Sequence, residues 1–219
     1  MRAAWLMFAA MALAAHGQTA APAGPVIQVD FSNPAISPPQ WTMTLHPDGS
    51  GHFRSEMGTV PKGGLKEIEA PSIDRDIQVS PQFAGQVFAA AQRNKWFNTA
   101  CESHLKVAFQ GWKTLTYTGP KGHGTCTFNY SKDKEIQDLG DSLQAVAETV
   151  LEGERLQMLL RHDPLGLDQE MEFLVGAVQD GRAQQVCAIR GILERLAKDD
   201  AVLDRVRKRA RALLEQGTT

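Results

Sequence analysis

The sequence predicts an α+β fold, in which an antiparallel sheet of about six strands is covered on one face by helices and followed by a C-terminal helical segment. Two observations predict it. Up to residue 130, apolar residues alternate with polar ones in short runs separated by Gly, Pro and Asp, which is typical of half-buried strands. From Lys132 onward the apolar spacing changes to three or four, which indicates helices.

The N-terminus has the pattern of a secretory signal peptide. Arg2 precedes a 13-residue apolar run, Ala3 to Ala15, which is too short to span a hydrocarbon core of ~30 Å comfortably. Small residues favour cleavage before Gln18, although cleavage after Ala20 remains open. We therefore expect a signal peptide over 1–17, a flexible leader over 18–25, secretion or export to the periplasm, and no transmembrane anchor in the mature chain.

The predicted sheet domain, 26–161, begins with strands that each have one apolar face. These faces consist of Ile27, Val29 and Phe31, then Trp41, Met43 and Leu45, then Phe53 and Met57, and finally Ile77 and Val79. A Pro-Asp-Gly turn over 45–51 predicts a hairpin, and a long excursion over 57–74 carries a weak strand over 65–70. Ser80 and Pro81 then predict the start of a helix running to about Asn94.

Three more strands and several helices complete the predicted fold. The strands are centred on Leu105, Val107 and Phe109, on Leu115 and Tyr117, and on Cys126, Phe128 and Tyr130, the last two strands being joined by a glycine-rich loop over 119–124. A long amphipathic helix follows toward Arg161, with Gly140 and Gly153 as weak points. The C-terminal extension, 162–219, is expected to form helices over 168–179, 182–198 and 200–216.

Export determines how the three cysteines are interpreted, because an oxidising compartment favours disulfides. Cys101 and Cys126 lie on either side of a predicted hairpin and are the natural pair by proximity. Cys187 is left over as a free thiol. It either lies buried where another helix approaches closely or is exposed and able to form an intermolecular disulfide.

Composition and motifs exclude several classes of function. The 219 residues carry a net charge of −2, so no overall positive field attracts nucleic acid. The sequence contains no nucleophile elbow, H-E-x-x-H, phosphate-binding or dinucleotide-binding motif. Because catalytic groups also come from separated positions, an enzyme is not excluded, but we favour a protein without catalysis or a cofactor.

One candidate chemistry is a metal site at the first hairpin. His46 and His52 flank the turn with the same outward parity, and Glu56 or His104 would be a third ligand. A zinc site needs three or four ligands, and local geometry places only two together. The simpler interpretation, which we favour, is a pair of solvated histidines.

The outward parity of the strands also predicts a threonine-rich binding surface. Its candidate residues are Thr44, Arg54, Thr116, Lys121 and His123. We therefore expect a non-catalytic protein of the cell envelope or medium that binds a protein or an envelope component. The alternatives are a small exported hydrolase or metal-dependent enzyme using His46 and His52, and an inhibitor of a secreted enzyme that inserts the loop 119–124 or 57–74. The oligomeric state is left open.

Overall fold

The computed structural model describes residues 24–58 and 72–217, and these residues form an α+β arrangement, as predicted. The signal peptide, most of the leader and the weak strand predicted over 65–70 lie outside the described residues. The strands are β1 (Val26–Ser32), β2 (Gln40–Leu45), β3 (Ser50–Ser55), β4 (Ile73–Gln78), β5 (Trp112–Gly119) and β6 (Gly122–Phe128). The α-helices are α1 (Pro81–Arg93), α2 (Lys134–His162), α3 (Leu167–Gln179), α4 (Arg190–Lys198) and α5 (Asp204–Gln216).

The six strands of the described residues form one antiparallel sheet in the order β4-β3-β2-β1-β5-β6. One face of the sheet is apolar and packs against α1 and α2. The Ser80 hydroxyl begins α1 as predicted, because it accepts a hydrogen bond from the backbone N–H of Phe83 at 3.2 Å. Phe97 lies in a 3-10 turn after α1 and is fully buried against the sheet, while the ring of Trp96 beside it packs at a tilt against the ring of Tyr117.

The strand predicted at Leu105, Val107 and Phe109 is wrong. These residues lie in an irregular segment, and each is between 43% and 50% exposed. Side chains hold this segment instead of a strand ladder: Asn129 Oδ1 accepts from the N–H of Gln110 at 2.7 Å, and Glu102 accepts from the N–H of Asn129 at 2.7 Å. His104 belongs to this irregular segment, where its φ is 54°, and does not lie on the sheet.

A turn joins β5 to β6 as predicted, but the predicted bounds, 119–124, are too wide, because β5 continues to Gly119 and β6 begins at Gly122. Only Pro120 and Lys121 form the turn. Gly124 serves close packing, because a Cβ there would lie 2.2 Å from the carbonyl oxygen of Trp96.

Three predicted boundaries also change. β3 ends at Ser55, so Met57 is not part of its apolar face and is 59% exposed. The helix predicted over 182–198 starts only at Val186, because Gln185 adopts a left-handed backbone conformation with a φ of 56°, and its first residues, Val186–Ile189, form a 3-10 turn that precedes α4. The side chain of Gln185 accepts a hydrogen bond from the N–H of Ser80 at 2.9 Å. The last helix begins at Asp204 instead of residue 200.

Two groups of buried apolar side chains hold the fold together. The sheet cluster contains the apolar face of the sheet, α1 and the first part of α2. The C-terminal cluster contains α3, α4, α5 and the last part of α2, including Leu156 and Leu159. Within the described ranges, no helix is both long enough and apolar enough to cross a membrane.

Candidate functional site

The outward side chains of the sheet form two polar rows that cross all six strands. One row contains Asp76, His52, Thr44, Gln28, Thr116 and Thr125, and the other contains Asp74, Arg54, Thr42, Asp30, Thr114 and Thr127. We call this surface the polar face. None of these side chains is buried, because α1 and α2 cover the opposite face of the sheet.

Hydrogen bonds between neighbouring side chains order the middle of the polar face. Asp30 accepts from the Thr42 hydroxyl at 2.8 Å and from the Gln28 amide at 2.9 Å. On β5 and β6, paired hydroxyls lie 2.8 Å apart in one row and 3.0 Å apart in the other. These contacts restrict the rotation of the side chains, and such order would lower the entropic cost of binding a ligand.

The β4 end of the polar face is charged. The two ring nitrogens of His52 contact different carboxylates, Nδ1 with Asp76 at 2.8 Å and Nε2 with Asp74 at 2.9 Å. The hydrogen bond to Asp76 raises the pKa of His52; burial opposes this rise, and the hydrogen bond to Asp74 adds to it. Both ring nitrogens therefore have a carboxylate partner, an arrangement that stabilises the charged imidazolium.

The predicted metal site receives no third ligand in the part of the chain that the structure describes. No group of three or more His, Cys, Asp or Glu side chains in these residues is placed to hold a metal ion. His46 lies in the turn after β2, and His104 lies away from the sheet. The geometry of His52 matches an ion-paired histidine instead of a metal ligand.

Of the five residues that the sequence predicted for the binding surface, three lie in the polar rows and two lie near the β5–β6 turn. Thr44, Arg54 and Thr116 belong to the rows themselves. His123 extends the face toward the β5–β6 turn, where its Nδ1 lies 3.1 Å from the hydroxyl of Thr118. Lys121 is exposed in the turn.

The cysteines divide as the sequence predicts, with Cys101 bonded to Cys126. Cys187 is a free, half-buried cysteine in the 3-10 turn before α4. Burial raises the pKa of its thiol, which lowers the fraction of reactive thiolate.

Sequence reasoning missed a second site, which we call the acidic cavity. It encloses about 490 Å³ between α2, α3 and the turn after α3. Its polar and aromatic lining consists of Gln110, Asp141, Gln144, Glu148, Glu152, Phe173 and Arg182. The carboxylates that line the cavity are spaced along α2 as on an ordinary solvated helix face. The sequence therefore contained no signal that α3 and the turn after it enclose them.

Glu152 is the most unusual residue of the acidic cavity. It is 1% exposed, and its Oε1 accepts a hydrogen bond from Arg155 at 2.5 Å. Its Oε2 has no hydrogen-bond donor among the described residues, and the carboxylate of Glu170 lies close to it. Burial, reinforced by Glu170, raises the pKa of Glu152 to about 9, so this carboxyl group retains a proton at neutral pH.

Comparison with known proteins identifies no family. No family model matches the chain, and no curated protein sequence matches it. Functional inference therefore depends on the polar face and the acidic cavity themselves.

Proposed function

We propose that the protein is an exported, non-catalytic binding protein whose polar face recognises a hydroxyl-rich glycan of the envelope or medium. The observation that carries this proposal is the pair of polar rows, which cross all six strands without an apolar side chain. Hydroxyl, amide and carboxylate groups in these rows both donate and accept hydrogen bonds, as the hydroxyls of a sugar polymer do.

The composition of the polar face favours a glycan over a protein partner. The centre of a protein interface is usually apolar and aromatic, whereas the two rows consist of polar residues alone. One aromatic ring lies at the rim: Trp112 has the same parity as Thr114 and Thr116 and is 45% exposed. An exposed indole offers a flat apolar surface for a sugar ring and a polar N–H at its edge.

Two further features support export. The N-terminal sequence has the charge and apolar length of a signal peptide. The bond between Cys101 and Cys126 is of the kind that persists in oxidising compartments.

Co-sedimentation with insoluble cell-wall polysaccharide from the producing organism tests the proposal. The double variant Thr44→Val, Thr116→Val removes two hydroxyls on either side of Gln28 while keeping the shape and strand preference of the side chains. We expect the wild type to be retained and the double variant to bind about tenfold more weakly, or worse, on the scale of ~1 kcal/mol per hydrogen bond.

Thr99→Val is the matched control, because Thr99 is exposed in the segment after the 3-10 turn and lies outside the sheet. It should bind as the wild type does. Failure of the wild type to bind polysaccharide, or equal binding by the double variant, would overturn the proposal.

A further inference from the structure

A third row of side chains borders the polar face at the end where β1 finishes. It contains Gln40 on β2, Ser32 on β1 and Trp112 on β5, which are register partners. Glu56 extends the row beyond β3, since its N–H donates to the carbonyl of Gln40 at 3.3 Å. We call these residues the mixed row, because they combine polar side chains with one aromatic ring.

Trp112 forms an exposed aromatic pair with Phe109. The two ring centroids lie 5.9 Å apart, and the ring planes meet at 64°. Trp112 is 45% exposed and Phe109 is 48% exposed. In such an edge-to-face contact each ring restricts the rotation of the other. Two large aromatic side chains that lie together at the surface leave apolar area in contact with water, which is typical of an interaction site.

The backbone that carries the aromatic pair is fixed by contacts with the sheet. The carbonyl of Gln110 accepts from the amide of Asn33 at 3.3 Å, and its N–H donates to Asn129 at 2.7 Å. Gly111 has a φ of 114°, and a Cβ there would lie 2.6 Å from the ring of Phe31. The aromatic pair is therefore held in one position, which lowers the entropic cost of stacking a ligand on it.

A polar groove of about 340 Å³ lies at the other end of the mixed row. Its lining consists of Gln40, Trp41, Thr42, Arg54 and Glu56. One cation and one carboxylate balance the charge of the lining, and Asp74, 3.9 Å from Arg54, lies outside it. Balanced charge favours an uncharged ligand, whose hydroxyls can donate to the carboxylate and accept from the amide and guanidinium groups.

The spacing of the strands sets the distance between the aromatic pair and the groove. β2 and β5 lie on either side of β1, so two spacings of ~4.8 Å place Gln40 ~10 Å from Trp112, with Arg54 one strand further. Ser32 lies between them and has one of the smallest polar side chains, so a chain can pass over it. Each pyranose of an extended β-linked glycan advances by about one strand spacing, so about three or four sugar rings reach from Trp112 into the groove.

We propose that the mixed row binds an extended β-linked glycan of glucose or N-acetylglucosamine, with one sugar ring stacked on Trp112 and a later ring hydrogen-bonded in the groove. The substituents of these sugars are equatorial, so C–H groups line the faces of each ring and match the apolar face of an indole. An α-linked glycan curves away from a sheet surface and does not reach both places. This inference rests on the proposed function of the polar face, to which it adds the class of glycan and the direction of the bound chain across the strands.

Isothermal titration calorimetry of the full chain with cellotetraose, chitotetraose and maltotetraose tests the proposal. We expect saturable binding of at least one of the two β-linked tetramers. Maltotetraose, which has the glucose units of cellotetraose in α linkage, should bind at least about tenfold more weakly. Trp112→Ala should weaken binding of the preferred tetramer about tenfold or more, the usual scale for truncating an aromatic anchor, and Gln40→Ala about fivefold. Trp112→Phe should restore most of the affinity, because it keeps an aromatic ring.

Phe173→Ala is the control, because it removes an exposed aromatic ring on α3, outside the sheet. This variant should bind as the wild type does. The inference is overturned if maltotetraose binds as tightly as the β-linked tetramers, or if Trp112→Ala keeps wild-type affinity. Circular dichroism of each variant establishes that it is folded.

Co-sedimentation with cell-wall polysaccharide separates failure of this inference from failure of the proposed function. If the wild type binds the polysaccharide but neither β-linked tetramer, the inference alone is overturned. If the wild type binds neither the polysaccharide nor a tetramer, the proposed function is overturned with it.

Discussion

Glu152 keeps a titratable carboxyl group in a position that is 1% exposed. Burial is the largest cause of its raised pKa, followed by Glu170, while Arg155 acts in the opposite direction. Because its folded-state pKa lies above the unfolded value, the folded protein binds a proton that the unfolded chain releases between pH 4.5 and about 9. Glu152 therefore supports stability fully below pH 4.5 and progressively less as pH rises toward 9.

Glu152→Gln should remove this pH dependence, since glutamine needs no proton. We expect the variant to exceed the wild type in free energy of unfolding by ~1–3 kcal/mol at pH 8, with the advantage shrinking as pH falls toward 4.5. Urea unfolding at several pH values measures the difference. Glu172→Gln, at an exposed site on α3, should show no such trend, and parallel curves for Glu152→Gln and the wild type would contradict the prediction.

At the scale of elements, α2 has glycines at the two places where Ile189 and Phe128 approach its backbone closely. A Cβ at Gly153 would lie 2.3 Å from Cγ2 of Ile189, and one at Gly140 would lie 2.8 Å from Cζ of Phe128. The sequence marks these glycines as weak points of a helix, because glycine has a low helix propensity. In the fold both glycines lie at close contacts with neighbouring side chains. Their low helix propensity is tolerated there because no larger residue fits.

Gly153→Ala should therefore destabilise the protein by ~1–3 kcal/mol, although alanine favours helices. Gly85→Ala on α1 is the matched change, because no atom lies within 4 Å of its Cβ position. It should stabilise the protein by ~0.5–1 kcal/mol. Denaturant unfolding compares the two variants, and stabilisation by both would show that helix propensity outweighs the contact with Ile189.

The disulfide is the second element-scale feature, since it joins the irregular segment before β5 to β6. Replacing Cys101 and Cys126 together by serine should lower the free energy of unfolding by ~3 kcal/mol, because the unfolded chain gains the freedom of a loop of 25 residues. Cys187→Ser should have a much smaller effect. If reduction leaves the denaturation midpoint of the wild type unchanged, the expected contribution of the disulfide is wrong.

At the scale of the whole molecule, α2 links the two apolar clusters. Leu143 and Val146 pack in the sheet cluster, and Leu156 and Leu159 pack in the C-terminal cluster. A hydrogen bond also joins α2 to the C-terminal segment: the Thr149 hydroxyl donates to the carbonyl of Gln184 at 2.6 Å. A division after residue 161 would separate groups that lie in contact, so we expect one folding unit.

Calorimetry of the full chain should show one transition, with equal calorimetric and van't Hoff enthalpies. A fragment of residues 24–161 should melt at a lower temperature, because it exposes Leu156 and Leu159 and loses the partner of Thr149. Two separate transitions, of which the fragment retains one unchanged, would establish the C-terminal helices as an independent domain.

The sequence by itself determined the features that local pattern encodes. Alternation assigned the side chains of β1, β2 and most of β5 and β6 to one face, since strand geometry points neighbours in opposite directions. The same parity identified Thr44, Arg54 and Thr116, while the short separation of Cys101 and Cys126 identified the disulfide. The hydroxyl of Ser80 began α1 because its capping contact spans only three residues.

Only the tertiary structure decided what depends on distant neighbours. Leu105, Val107 and Phe109 alternate as a strand would, but contacts with Asn129 and Glu102 hold their segment in another conformation. The two polar rows require the register of six strands, which no single strand contains. The acidic cavity exists because α3 and the turn after it cover one face of α2, and burial there turns an ordinary glutamate into a protonated one.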